Sequence, residues 1–207
     1  MENKTLNKAK IIKIIIAVLA IGGIGGGIYW YSNRNIVYIE DAEISAPHID
    51  LSADSGGSLK ETFVKIGDVV DGDTAVARVG NELVKTGASG LIVNVKNDIG
   101  RNFNRGEAVA SMIDPAELRV VGHLDENKGL VDIHVGQRAV FTVDAFGSKK
   151  FIGTIDEISP VSRESGVVFN ISDKRETKQF DIKVRFNTDQ YPELKDGMSA
   201  KIWIYKD

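Results

Sequence analysis

Few side chains in this sequence have the type and spacing to do chemistry. His48, His123 and His134 are its only histidines, and Asp132-x-His134 sets a carboxylate and an imidazole two positions apart. Residues two apart on a strand share a face, so that pair has the reach for a weak metal site or for acid-base work. The plainer reading, adopted here, is a solvated surface pair. The absence of cysteine removes disulfides, thiolate zinc sites, cysteine nucleophiles and cysteine-linked lipid anchors together. Ser162-Arg163-Glu164-Ser165 and Lys174-Arg175-Glu176 mix charges without a phosphate-binding glycine pattern, and both read as exposed loop. No catalytic residue, cofactor-binding residue or metal ligand is assigned. The chain does not read as an enzyme.

What organises the sequence is glycine. The run Gly57, Leu59, Ile66-Gly67, Val69-Val70, Gly72-Asp73, Val79 is followed by Gly90, Ile92, Ile99-Gly100, Phe103, Gly106-Glu107, Ile113. Ten residues separate the first two glycines in each copy, and five or six precede the third, so the glycine alignment carries a single insertion. Glycine enters positive φ without steric penalty, which makes Gly67, Gly72, Gly100 and Gly106 the expected structural turns between short strands. A unit of roughly 25 residues buries too little apolar surface to fold alone, so two copies are expected to face each other across one core.

A flattened sandwich of two such halves is the architecture of biotinyl and lipoyl carrier domains, which the repeat resembles at its glycine turns. The same sandwich occurs in membrane fusion proteins, the HlyD-type periplasmic adaptors of export pumps. Ile113-Asp114, Leu118-Arg119-Val120, Val135-Gly136-Gln137, Phe151-x-Gly153-x-Ile155-x-x-Ile158 and Leu194-x-x-Gly197-Met198 follow in an order that resembles the β-barrel after the sandwich in adaptors. The run Tyr38 to Ala46 resembles the strand leading into it, so the resemblance covers about residues 36 to 205. A carrier would present a modified lysine near Asn81 or Glu82; Lys85 comes late and lacks the motif neighbours. Well-known adaptors insert a long helical hairpin between the two halves, where Asn81 to Gly87 is expected to form only a turn. The resemblance therefore implies a short adaptor without the hairpin. The function that the resemblance implies is to assist export by docking on a cytoplasmic-membrane transporter, of ABC or secondary type, side by side with other copies as a homo-oligomer. No cofactor is implied. The alternatives are a biotinyl or lipoyl-like carrier and a cell-envelope interaction protein without a pump.

Ile14 to Tyr31 are 18 residues without a charge, about 27 Å as a helix and close to the hydrocarbon thickness. Lysines precede this run and Tyr29-Trp30-Tyr31 close it, which predicts a single transmembrane helix with a cytoplasmic amino terminus and a periplasmic or extracellular remainder. The rival reading is a cleaved signal peptide at Val18-Leu19-Ala20. Gly22 and Gly26, and likewise Gly23 and Gly27, stand four apart and offer a helix face for close packing against another membrane helix. Residues 1 to 13 carry a net +3, which leaves −6 on the rest. An acidic ectodomain does not suit nucleic acid, whose binding rests on cationic contacts to phosphate.

Beyond Leu118 the apolar period is two. Phe180, Ile182, Val184 and Phe186 alternate with polar residues, as do Met198, Ala200, Ile202 and Ile204. Asp125 to Val131 is read as one helical turn capped by Asp125, and Val161 to Lys178 as the longest loop. The expected fold is mainly β: a transmembrane helix, a barrel-sandwich (lipoyl-like) domain and a β-barrel domain. The divisions are a cytoplasmic tail at 1–13, the helix at 14–31, a linker and lead-in strand at 32–45, the sandwich at 46–114 and the barrel at 115–207.

Overall fold

The computed structural model describes residues 17–19, 21–23, 36–163 and 177–206. The charge-free run at 14–31 lies largely outside them. Residues 17–19 and 21–23 are helical, and no helix among the described residues is long and apolar enough to cross a membrane. Gly22 and Gly23 fall within these helical residues; Gly26 and Gly27 lie outside the described ones.

The long alternating stretches close into an antiparallel barrel. Its strands are β1 (Ile36–Ser45), β10 (Arg119–Asp125), β11 (Arg138–Val143), β12 (Lys150–Arg163), β13 (Gln179–Arg185) and β14 (Ser199–Tyr205), in the order β1-β10-β13-β12-β11-β14. Alternation sends Val120, Leu124, Ile182, Val184, Ile202 and Ile204 inward, where they meet Phe141, Phe151 and Ile155. Ser45 pairs with Arg119 across the β1–β10 ladder. Everything between these two residues is thus an insertion into one barrel hairpin.

That insertion is a sandwich of eight strands: β2 (His48–Ser52), β3 (Gly57–Thr62), β4 (Val69–Val70), β5 (Ala75–Val79), β6 (Glu82–Lys85), β7 (Gly90–Val95), β8 (Asn102–Phe103) and β9 (Ala108–Ile113). One sheet runs β2-β9-β7-β4, the other β6-β5-β3-β8. A shift of thirty-three positions converts each sheet into the other, since Gly57 matches Gly90, Leu59 Ile92, Gly67 Gly100 and Val76 Val109. The hydrogen bonds obey the same shift. Gly67 N–H donates to the Ile92 carbonyl and Gly100 N–H to the Leu59 carbonyl, both at 2.8 Å, while Phe63 N–H to Val76 is matched by Lys96 N–H to Val109, also both 2.8 Å.

Several sequence expectations change here. The repeat carries no insertion, because the left-handed residue of the third turn is Asp73 (φ 63) in the first copy and Gly106 (φ 76) in the second. Gly72 lies outside the left-handed region and matches Arg105 instead. Nor does each copy make its own half: both sheets mix strands of both copies. A further strand, β2, occupies residues read as a turn-rich approach, and its match is β6, inside the stretch expected to be only a turn. The reversal there takes just Gly80 and Asn81, with Gly80 at φ 58.

Gly67 (φ 95) and Gly100 (φ 91) do occupy the conformation that excludes β-branched residues. Replacing either by Val should cost about 1–3 kcal/mol of sandwich stability in a denaturant titration. A Cβ at Gly72 would meet Ala88 at an ordinary 3.7 Å, so Gly72→Ala should change stability by no more than about 0.5 kcal/mol. Equal losses at all three positions would refute this assignment.

Candidate functional site

The candidate site is the junction where the inserted sandwich meets the barrel. Two crossings join them, Ser45 to Pro47 outward and Asp114 to Leu118 back. Asp196, in the turn before β14, accepts from the Ala46 N–H at 3.0 Å and faces His48 Nε2 at 2.7 Å. On the return crossing Asp114 accepts from the Ala116 N–H at 2.9 Å and caps the 3-10 turn Pro115–Glu117. Arg119 secures the same crossing: its Nε donates to Asp156 at 2.8 Å and its Nη1 to the carbonyls of Ala116 (2.9 Å) and Leu118 (3.0 Å).

The hydrogen bond from Arg119 holds the Asp156 carboxyl below the usual carboxylate range, against the smaller opposing effect of burial. A lowered folded-state value means that the ionised carboxylate stabilises the fold at neutral pH and that this contribution is lost as pH falls through that value. With the Arg119 side chain only 15% exposed and that of Asp156 29%, Asp156→Asn should cost about 1 kcal/mol at neutral pH, the top of the range for exposed pairs. The difference from the parent should vanish in acid. A pH-independent gap in the unfolding midpoint would argue against the pairing.

Between the crossings lies a cleft of ≈ 700 Å³ whose lining includes Ile66, Leu91, Val93, Ile113, Leu118 and Leu194. Leu91, Val93 and Ile113 pack against the barrel core. Thirty-three positions earlier stand Ser58, Lys60 and Gly80. The sandwich is therefore symmetric in backbone and asymmetric in surface, with its apolar face turned to the barrel and its polar face away.

The other sequence candidates are scattered. Asp132 and His134 are not on a strand: Leu130–Asp132 is a 3-10 turn, and Asp132 pairs with Lys206 at 2.6 Å. The 3-10 turn takes in Leu130 and Val131, the last two residues of the helical turn expected at Asp125 to Val131, with Gly129 at its cap position, and Asp125 instead pairs with Lys128 at 2.8 Å. His123 Nδ1 faces Asp181 at 2.8 Å, and its Nε2 meets Arg163. Among the described residues no three His, Asp or Glu side chains group as a metal site requires. At the sandwich hairpin the tip is Gly80-Asn81, while Lys85 sits at the base of the hairpin and pairs with Asp73 at 2.9 Å. Glu82 is engaged as well, accepting from the Asp54 and Ser55 N–H groups at 2.8 and 2.9 Å. Of the loop expected at Val161 to Lys178, Val161 to Arg163 instead continue strand β12, and Val167 to Phe169 lie outside the described residues.

Residues 118–204 match the family model described as the YknX-like beta-barrel domain. Taken with the inserted sandwich, the chain has the fold of solved membrane fusion and periplasmic adaptor proteins. Solved structures of the same fold include ZneB from Cupriavidus metallidurans, with TM-score 0.62, 13% identity, and coverage of 84% of this chain and 99% of that one. The membrane fusion protein Spr0693 from Streptococcus pneumoniae R6 aligns with TM-score 0.59 and 15% identity over 83% of this chain and 99% of that one. MacA from Actinobacillus actinomycetemcomitans gives TM-score 0.64 and 12% identity over 83% of this chain and 81% of that one. No curated protein matches the chain.

Within this fold, Asp196, Asp156 and the strands β2 and β6 are the parts that sequence reading missed. For the strands the available signal was the ungapped shift, which aligns Leu51 with Val84, both buried. For Asp196 and Asp156 there was none, because their partners are 150 and 37 positions away.

Proposed function

We propose that this chain is a membrane-anchored adaptor subunit of an export system, with Ile14 to Tyr31 as its span, residues 1–13 in the cytoplasm and the β domains outside. It docks on a cytoplasmic-membrane transporter of ABC or secondary type and works beside other copies of itself. Its role is binding and positioning rather than catalysis. The observation that carries this reading is the YknX-like barrel interrupted, in the β1–β10 hairpin, by a lipoyl-like sandwich. That arrangement suits an adaptor better than a free carrier, because a carrier needs a lysine at the hairpin tip and this tip is Gly80-Asn81.

Reach follows from the same hairpin. A helix adds about 1.5 Å per residue, so a span of several tens of ångströms needs dozens of residues, and a two-residue reversal has none to give. Contact with a transporter then falls to the span, the barrel or the sandwich tip. Photo-crosslinkers at Lys149 in the barrel, Asn81 at the tip and Gly22 in the apolar run should trap an integral membrane transporter in cells, and deleting the chain should impair export. Crosslinks only to cell-wall or soluble proteins, together with unimpaired export, would overturn the adaptor function.

A further inference from the structure

One end of the barrel carries apolar side chains that the fold does not use. The segment from Glu126 to Gln137 folds over that end as a cap. Its Ile133 is buried in the barrel core and Leu130 packs against it, while Val131 and Val135 point outward, 87% and 64% exposed. The cap is fixed in place: Lys206 Nζ meets Asp132 at 2.6 Å, the Gly136 N–H donates to the Ile155 carbonyl at 2.9 Å, and Gly129 lies against Val37. Tyr205, 43% exposed, ends β14 at the same level, paired with Ile36. Isolated exposed valines are ordinary, but a cap with two aliphatic residues inward and two outward presents an apolar rim at one place.

The chain itself says what lies opposite this rim. β1 starts at Ile36, five residues after Tyr31 closes the expected span, and a fully extended chain covers at most about 3.6 Å per residue, so Ile36, at this end of the barrel, is held within roughly 18 Å of the end of that span. Arg138, exposed at the start of β11 directly after the cap, stands at the level of Tyr205 on the same rim. Of the cations beside it, Lys128 and Lys206 are paired with Asp125 and Asp132, which leaves Arg138 to face the headgroups while the valines meet the apolar layer beneath. We propose that the cap is a lipid-contacting surface: Val131 and Val135 enter the interfacial layer of the bilayer, with Tyr205 at headgroup level, and hold the barrel upright on the membrane. This rests on the reading of residues 14–31 as a membrane span.

The lack of cysteine permits a direct test. Full-length Val131→Cys, Val135→Cys and Ile152→Cys proteins are labelled with a polarity-sensitive fluorophore and reconstituted in nanodiscs of phosphatidylcholine containing nitroxide lipids, with no transporter present. Ile152, 49% exposed on the barrel wall and paired with Val140 in mid-strand, is the control for mere proximity. Quenching at positions 131 and 135 severalfold above that at 152 is expected. Equal quenching at all three would overturn the proposal, as would protection of 131 and 135 that arises only when a transporter is added, which would make the cap a protein-docking surface. If the chain does not enter nanodiscs or float with liposomes at all, the membrane-span reading fails first, and the lipid contact falls with it.

Discussion

Phe151→Ala is expected to remove about 3–5 kcal/mol of barrel stability, a large part of what a domain of this size possesses. Phe151 is fully buried and holds together four elements of the barrel. Its ring stacks on Phe141 at 5.3 Å, takes Phe146 and Tyr191 edge-on at 5.8 and 5.1 Å, and lies beneath the Lys149 ammonium at 5.0 Å. Truncation leaves a cavity that rings anchored on separate strands and turns cannot collapse to fill, so both the transfer and the cavity costs are felt. The sandwich has its own core around Leu59, Val76, Ile92, Val109 and Met112 and should be affected far less. Trp203, on β14, reports barrel unfolding by fluorescence in a Trp30→Phe background, and hydrogen exchange over β3 and β7 reports the sandwich. A barrel loss below about 1 kcal/mol, or an equal shift in both units, would show that Phe151 is not the keystone of a separate core.

How much of this was legible in the sequence depended on whether the determinant was local. The barrel strands were visible because one buried face imposes a period of two, as in Phe180 to Phe186 and Met198 to Ile204. The positive-φ turns at Gly67 and Gly100 were visible because only one residue type serves there. The third turn was misread for the same reason: Asp73 adopts φ 63 beside a glycine that does not need its freedom, and a search for matching glycines therefore inserts a residue that the fold lacks. Asp residues tolerate the left-handed region better than most, which makes the substitution inexpensive. β4 and β8, two residues each, carry no periodicity. The junction was out of reach altogether: Arg119 and Asp156 are ordinary surface charges until the barrel brings β10 and β12 to either side of β13.

Deleting one copy of the repeat should abolish the sandwich rather than halve it. Of the six ladders that build the two sheets, four join strands of different copies: β2 with β9, β4 with β7, β5 with β6 and β3 with β8. A variant that lacks residues 82–113 and joins Asn81 to Asp114 keeps only the β3–β5 pair. A two-stranded hairpin is at best marginally stable in water. The core tells the same story, since Leu59, Val76 and Val79 from one copy pack with Ile92, Val109 and Met112 from the other, and each set alone faces solvent. Amide protection in β2 to β5 should therefore fall to the level of an unfolded chain. The barrel should survive in the same molecule, because Ser45 and Arg119 remain neighbours across the β1–β10 ladder and a loop can bridge them as the sandwich does. Hydrogen exchange on the deleted variant separates the outcomes. Protected β2 to β5 would mean that a single copy is an independent folding unit, whereas loss of protection in the barrel as well would mean that the sandwich is not an insertion the barrel can do without.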